Sequence, residues 1–317
     1  MSFKKFLILV PLYSAVGFAA ESPKSPYPGL NSTEVGIQNV SYKETLKDFA
    51  GIGDLSTDIS VNNTVVYASS YTNISENWGF MLNTQSSATS EFTKDEWTIA
   101  GFDGAVQKNT SKLGVNDLIA SGVYHIQREV YATFGAQLNT VRFLRSNFEA
   151  VEPNASAVNE AIRVSDQYFT DPNPPQITSN PLAAVEEDLT FVNGVLGIYY
   201  NTAFSAQKRP LTWRAGASLS MPMYVSAKNS ALEQQYQIES IEDSFNGYAL
   251  KLNAGLSYEF TKGLAVTLNA DYMISEYDEI NTKFMEDVGG QQIERTAAIP
   301  DIEMSSMQFT LGLLWIN

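Results

Sequence analysis

The 317-residue chain contains no cysteine and one histidine, His125. The first absence excludes disulfides, thiolate nucleophiles and zinc centres built on cysteine. The second leaves a single imidazole for any acid–base chemistry. Basic residues are scarce, 20 Lys and Arg against 35 Asp and Glu, which argues against a nucleic-acid partner. Past the N-terminus no run approaches the roughly 18 apolar residues of a membrane-spanning helix. There is no internal repeat and no EF-hand spacing, and neither a cofactor nor a metal site is implied.

At the N-terminus, Lys4 and Lys5 precede an apolar run from Phe6 to Phe18, and Gly17-Phe18-Ala19 offers small residues where a signal peptidase reads. The pattern predicts a cleaved export signal over residues 1–19. A retained anchor is the alternative, and Pro11 in so short a run opposes it. Without the signal, 18 basic residues face 35 acidic ones, a charge of −17. An exported chain with no helical span enters a membrane only as a closed β-barrel, because lipid satisfies no open sheet edge.

Alternation of period two, the mark of a strand with unlike faces, recurs along the chain. Leu264, Val266, Leu268, Ala270, Tyr272 and Ile274 share one face, opposite Thr267, Asn269 and Asp271. Tyr248 to Phe260 and Leu211 to Met221 repeat the pattern, and weaker strands are expected at about 188–204, 130–145, 115–126, 77–88, 61–71 and 33–43. Connections alternate between short (72–76, 127–129, 205–210, 261–263) and long (44–60, 89–114, 146–187, 227–246, 281–303). The fold class is therefore all-β, a single antiparallel transmembrane barrel over 33–317 behind a periplasmic segment 20–32. It has ten strands, short periplasmic turns and long extracellular loops. Twelve strands is the alternative, and Trp97 to Val106 would be an eleventh strand only by placing 146–187 on the periplasmic side. Within that loop the spacing of Val158, Ala161, Ile162 and Ser165 predicts a helix over Ser156 to Tyr168, ended by the prolines after Asp171. Trp78, Tyr124, Trp213, Tyr258, Phe260 and Trp315 fall outward at the periplasmic rim, where aromatic rings gather at a membrane interface.

The last strand runs Met307, Phe309, Leu311, Leu313, Trp315 on one face and Gln308, Thr310, Gly312 on the other. With Thr310, Gly312 and Trp315 in register, it resembles the terminal strand by which Gram-negative outer-membrane β-barrels are recognised by the barrel assembly machinery. Asn317 stands where that family has Phe or Trp. The resemblance implies the outer membrane as location, with its lipids and lipopolysaccharide as surroundings. Gly114-Val115-Asn116-Asp117-Leu118, entering a strand with Tyr124 near its end, is similar to the Gly-Leu-Gly-Asp-Leu strand entry of outer-membrane channels linked to aromatic-compound catabolism. Asn116 replaces the second Gly. This second likeness implies uptake of a small-molecule solute.

The omptin proteases are ten-stranded outer-membrane barrels of similar length, and that resemblance implies carboxylates and a histidine at the outer rim; outer-membrane phospholipases need a Ser-His pair. His125 has no Asp two residues before it and falls at the periplasmic end of its strand, facing the lumen, so no catalytic residue is assigned. Arg214, Lys251, Asn253, Glu259, Asn269, Asp271, Gln137 and Asn139 also project inward. With Thr261-Lys262-Gly263 as a three-residue turn, Phe260 faces Leu264 and Asn253 stands opposite Asp271, with Lys251 diagonal to it. Such a lumen is either a satisfied polar plug, as in narrow barrels, or a narrow path whose charges bias ion passage. The loops at 146–187, 227–246 and 281–303 hold 16 acidic residues against four basic. They are solvated surface or carboxylates for divalent cations shared with lipopolysaccharide. The expected function is a narrow passive channel or uptake protein. The alternatives are a closed structural or surface-interaction barrel, and an outer-rim hydrolase.

Overall fold

The computed structural model describes residues 27–317 apart from 167, 170, 172, 173, 180–183 and 289. The expected export signal and residues 20–26 of the expected periplasmic segment lie outside the described residues. In chain order the elements are β1 (Leu30–Leu46), β2 (Leu55–Asn73), β3 (Trp78–Ser90), β4 (Thr93–Ile99), β5 (Ala105–His125), β6 (Val130–Ala150), α1 (Asn154–Val164), β7 (Ala184–Asn201) and β8 (Leu211–Asn229). They continue with α2 (Ser230–Tyr236), β9 (Ile241–Asp243), β10 (Tyr248–Thr261), β11 (Leu264–Tyr277), β12 (Ile280–Val288), β13 (Gln291–Ile299) and β14 (Asp301–Ile316).

Ten antiparallel staves close on themselves, because β1 pairs with β2 on one side and with β14 on the other. The wall runs β1, β2, β3 with β4, β5, β6, β7, β8, β10, β11, β14. β3 and β4 form one stave: both lie between β2 and β5, with a break at Glu91 and Phe92. Trp97 to Val106 is thus no eleventh stave. It rises through β4, turns over residues 100–104 and descends in β5. Short turns gather at one end, here the lower, and long connections at the other, the upper.

The wall changes character part-way up. On its lower part the apolar residues face out and the polar ones in: on β14, Met307, Phe309, Leu311 and Leu313 are exposed while Gln308 and Thr310 are buried. Higher on the same strand the sides exchange, with Ile302 and Met304 buried and Glu303 facing out. β6 behaves alike: Phe134 and Leu138 face out beside buried Gln137 and Asn139, then Val141 and Phe143 are buried while Arg142 faces out. On β1 the exchange falls after Gln38. Outward polar pairs mark the upper zone: Asn39 Nδ2 to Asn62 Oδ1 at 3.0 Å, Arg142 Nε to Asp188 Oδ1 at 2.6 Å, and Lys43 Nζ to Glu303 Oε1 at 2.7 Å. Such an outer wall suits water, whereas the belt below it suits hydrocarbon.

Several sequence expectations are corrected. The barrel begins at Leu30, not at residue 33. Much of the expected loops 44–60 and 89–114 is strand, because alternation continues there with polar residues outside. The expected loop 281–303 carries the hairpin β12–β13, which continues β11 and β14 upward. The helix starts at Asn154 and ends at Val164, where Ser165 is extended. Between β10 and β11 the turn has two residues, Lys262 and Gly263 (φ 80°), and a bulge displaces Phe260. Asn253 nevertheless faces Asp271, since the bulge absorbs the missing turn residue. Gly114 lies in the middle of β5 and not at a strand entry. Among the described residues no helix is long and apolar enough to cross a membrane.

Candidate functional site

Four layers of side chains fill the lumen. The lowest is aromatic. Tyr27, from the segment before β1, stacks on His125 with ring centroids 3.7 Å apart, and Tyr71 Oη lies 2.8 Å from His125 Nε2. A 3-10 turn at Thr202–Phe204, capped by Asn201, turns Phe204 inward so that its ring meets Tyr27, His125 and Tyr131 edge-on. Neighbouring staves supply His125, Tyr131 and Tyr199, and the last two rings stack at 5.3 Å. Together these rings close the lower mouth.

Above it lies the polar layer, level with the apolar belt. A cavity of about 60 Å³ is bounded by Tyr67, Asp117, Arg214, Lys251, Asn253 and Asp271, among others, and a second of about 30 Å³ shares Arg214 and Tyr131 with it. The larger exceeds the roughly 10–15 Å³ that a water needs. Its charges are loosely paired: Lys251 Nζ is 3.6 Å from Asp271 Oδ1, and Arg214 Nη2 is 3.9 Å from Glu34 Oε1. Amide donors complete the set. Gln137 Nε2 donates to Asp117 Oδ1 at 3.1 Å, Asn139 donates to the same oxygen, and Asn269 Nδ2 donates to Glu34 Oε2 at 2.6 Å.

The third layer is apolar and crosses the barrel. Tyr42 and Phe143, from β1 and β6, meet at 4.5 Å, and Phe191 of β7 stacks on Tyr277 of β11 at 4.2 Å. Val40, Val61, Leu113, Val115, Val225 and Met304 fill the space between, and Leu113 and Phe143 are 0% exposed. The layer is packed like the core of a soluble protein.

The uppermost layer centres on Arg145. Its Nη2 donates to Glu44 Oε2 at 2.7 Å, Nη1 to Glu187 Oε2 at 2.5 Å and Nε to Asp95 Oδ2 at 3.2 Å. The guanidinium also lies over the Phe143 and Trp97 rings, at 4.4 and 5.3 Å. Neutral donors surround the acids: Thr57, Asn109 and Ser111 donate to Asp95, Asn229 to Glu187, and Tyr42 to Glu44. Above the cluster, α1 seats Val158 and Ile162 against Ile99 and Val106. Arg295 of β13 pairs with Asp171 of the loop after α1 and with Glu286 of β12, tying that loop to the hairpin.

Arg214, Lys251, Asn253, Asn269 and Asp271, expected to face the lumen, line one cavity together. Gln137 and Asn139 hold Asp117 beside it. His125 belongs to the lower aromatic layer, and Glu259 accepts from the Gly263 N–H at 2.8 Å, stiffening the turn well below the cavity. Trp78, Tyr124, Trp213, Tyr258, Phe260 and Trp315 all face outward near the lower end, and Trp78 packs on Tyr124 at 4.9 Å. Thr310 and Gly312 face inward, Thr310 donating to Glu34. A Cβ on Gly312 would run into the β1 backbone at Thr33 and Glu34. Sequence reasoning missed Glu34, Glu44, Asp95, Asp117, Arg145 and Glu187. Alternation carried as far as Leu46 would have placed Glu44 inside with Val40 and Tyr42.

No protein-family model matches the chain, and no curated protein sequence matches it. Solved structures do. The outer membrane protease OmpT from Escherichia coli superposes with a TM-score of 0.59 at 9% identity, covering 94% of this chain and 99% of that one. The transport unit of the autotransporter AIDA-I from Escherichia coli gives 0.39 at 10% identity, covering 95% and 94%. A FadL homologue from Pseudomonas aeruginosa gives 0.30 at 9%, covering 91% and 90%. At 9% identity the likeness to OmpT extends to the fold, that of an outer-membrane β-barrel.

Proposed function

We propose that the protein is a sealed barrel of the bacterial outer membrane, whose working surface is the collar of upper loops and not the lumen. The short-turn end then faces the periplasm and the long-loop end the exterior. The observation that carries this reading is the dry layer around Tyr42, Phe143, Phe191 and Tyr277, which separates the polar cavity from the upper mouth. The belt of outward aromatics suits outer-membrane lipid, and the polar wall above it suits the sugars and phosphates of lipopolysaccharide. Thr310, Gly312 and Trp315 serve as the assembly signal.

The charged cavity favours a second reading, a narrow passive channel for small solutes, in which both the dry layer and the Tyr27–His125 stack move aside. Planar-bilayer recording on purified protein separates the two. A sealed barrel gives no stepwise conductance at any voltage or salt concentration, whereas resolvable steps would establish the channel. A rim hydrolase is the least supported reading, because His125 lies at the opposite end and Arg145 already engages the upper carboxylates.

A further inference from the structure

The Arg145 cluster carries a charge imbalance that neither reading uses. Three carboxylates, from β1, β4 and β7, share one guanidinium from β6, and the side chains of all four residues are at most 8% exposed. The other polar groups packed against it are neutral: Thr57 of β2, Asn109 and Ser111 of β5, Asn229 of β8 and the phenol of Tyr42. Buried charge without compensation is costly and is relieved by taking up a proton. The hydrogen bonds indicate where such a proton fits. Asp95 accepts from Thr57 on one oxygen and from Asn109, Ser111 and Arg145 on the other. Glu187 accepts from two N–H donors, which cannot reverse. Asp95, with four donors, is fully served as a carboxylate, whereas Glu44 has two, Arg145 on Oε2 and, on Oε1, the Tyr42 hydroxyl at 2.9 Å, which accepts as readily as it donates.

We propose that a stored proton fastens the upper mouth: Glu44 carries it toward Tyr42, and its loss to solvent as the medium turns alkaline loosens the tie between β1 and β6. Those staves stand four apart in a ring of ten, so the Glu44–Arg145 contact spans the lumen. The site lies above the apolar belt, level with the outward pair Lys43–Glu303, and so outside the membrane-spanning part of β1. Burial pushes the Glu44 carboxyl up to about 7; Arg145 opposes the rise and Glu187 adds to it. A folded-state value above the ordinary one means that the contribution to stability is complete below the ordinary carboxyl range and is lost as pH rises through 7.

The test uses the full chain refolded into lipid vesicles. Infrared spectra taken from about pH 5.5 to about 8.5 should show a protonated-carboxyl band that disappears near neutrality, and Glu44→Gln should remove it. Hydrogen exchange, corrected for intrinsic rate, should quicken about tenfold or more over that range at residues 42–46 and 143–147, and Glu44→Gln should flatten the response. A wild-type protein without a titrating carboxyl band overturns the proposal, whether or not the variant folds. A band or exchange response that survives Glu44→Gln overturns it equally.

Discussion

The lower and upper parts of this wall are built on the same staves with opposite chemistry. On β6, Leu138 faces out and Asn139 in; four residues further on, Arg142 faces out and Phe143 in. Parity is unchanged, so no register slip is involved: what changes is the solvent outside. Hydrocarbon outside draws apolar side chains outward and leaves the interior to polar groups, while water outside restores the order of a soluble β-protein. The two ion clusters follow the same division. Around the lower cavity, charges 3.6 to 3.9 Å apart pair loosely beside a space of about 60 Å³ large enough for water. Around Arg145, contacts of 2.5 to 3.2 Å must satisfy the charges directly.

The sharpest way to break the comparison is to remove a cation from each cluster. Arg145→Met strands three buried carboxylates and should cost about 3–5 kcal/mol in urea unfolding from vesicles. Lys251→Met leaves Asp271 beside a cavity with room for water, and should cost about 1–2 kcal/mol. Equal losses would mean that the lower cavity is as dry as the upper cluster. Aromatic truncation on β6 comes next. Phe143→Ala opens a void inside and should cost about 3–5 kcal/mol, against about 1–2 kcal/mol for Phe134→Ala, where lipid fills the gap. The boundary itself is probed with charge. Leu268→Arg on the belt should cost about 2–4 kcal/mol, and Ser41→Arg on the upper wall about 0.5 kcal/mol or less. A large penalty at Ser41 would raise the belt and remove the inversion.

That inversion also explains what the sequence yielded. Ten staves and their closure were legible from Leu264–Ile274, Tyr248–Phe260 and the alternation of short and long connections. The inward set Arg214, Lys251, Asn253, Asn269 and Asp271 followed from parity alone. The upper barrel was not legible, because the pattern sought was apolar outside and polar inside. Glu44, Asp95 and Glu187 all fall in stretches that this template assigns to loops. Their partner Arg145 stands at the edge of one. The stopper Tyr27 precedes the first strand, and nothing in local periodicity connects it with His125, 98 residues later.

Glu34 sits on the first stave, 1% exposed, yet most of its donors arrive late in the chain. Ser32 is local, but Asn269 belongs to β11 and Thr310 to β14. Until the final stave docks, this carboxylate faces the lumen with its principal partners missing. Docking β14 in register supplies them, and the open seam that Gly312 leaves lets the two backbones meet. The contact is register-specific: a slip of one residue would turn Thr310 toward lipid and withdraw its hydroxyl from Glu34.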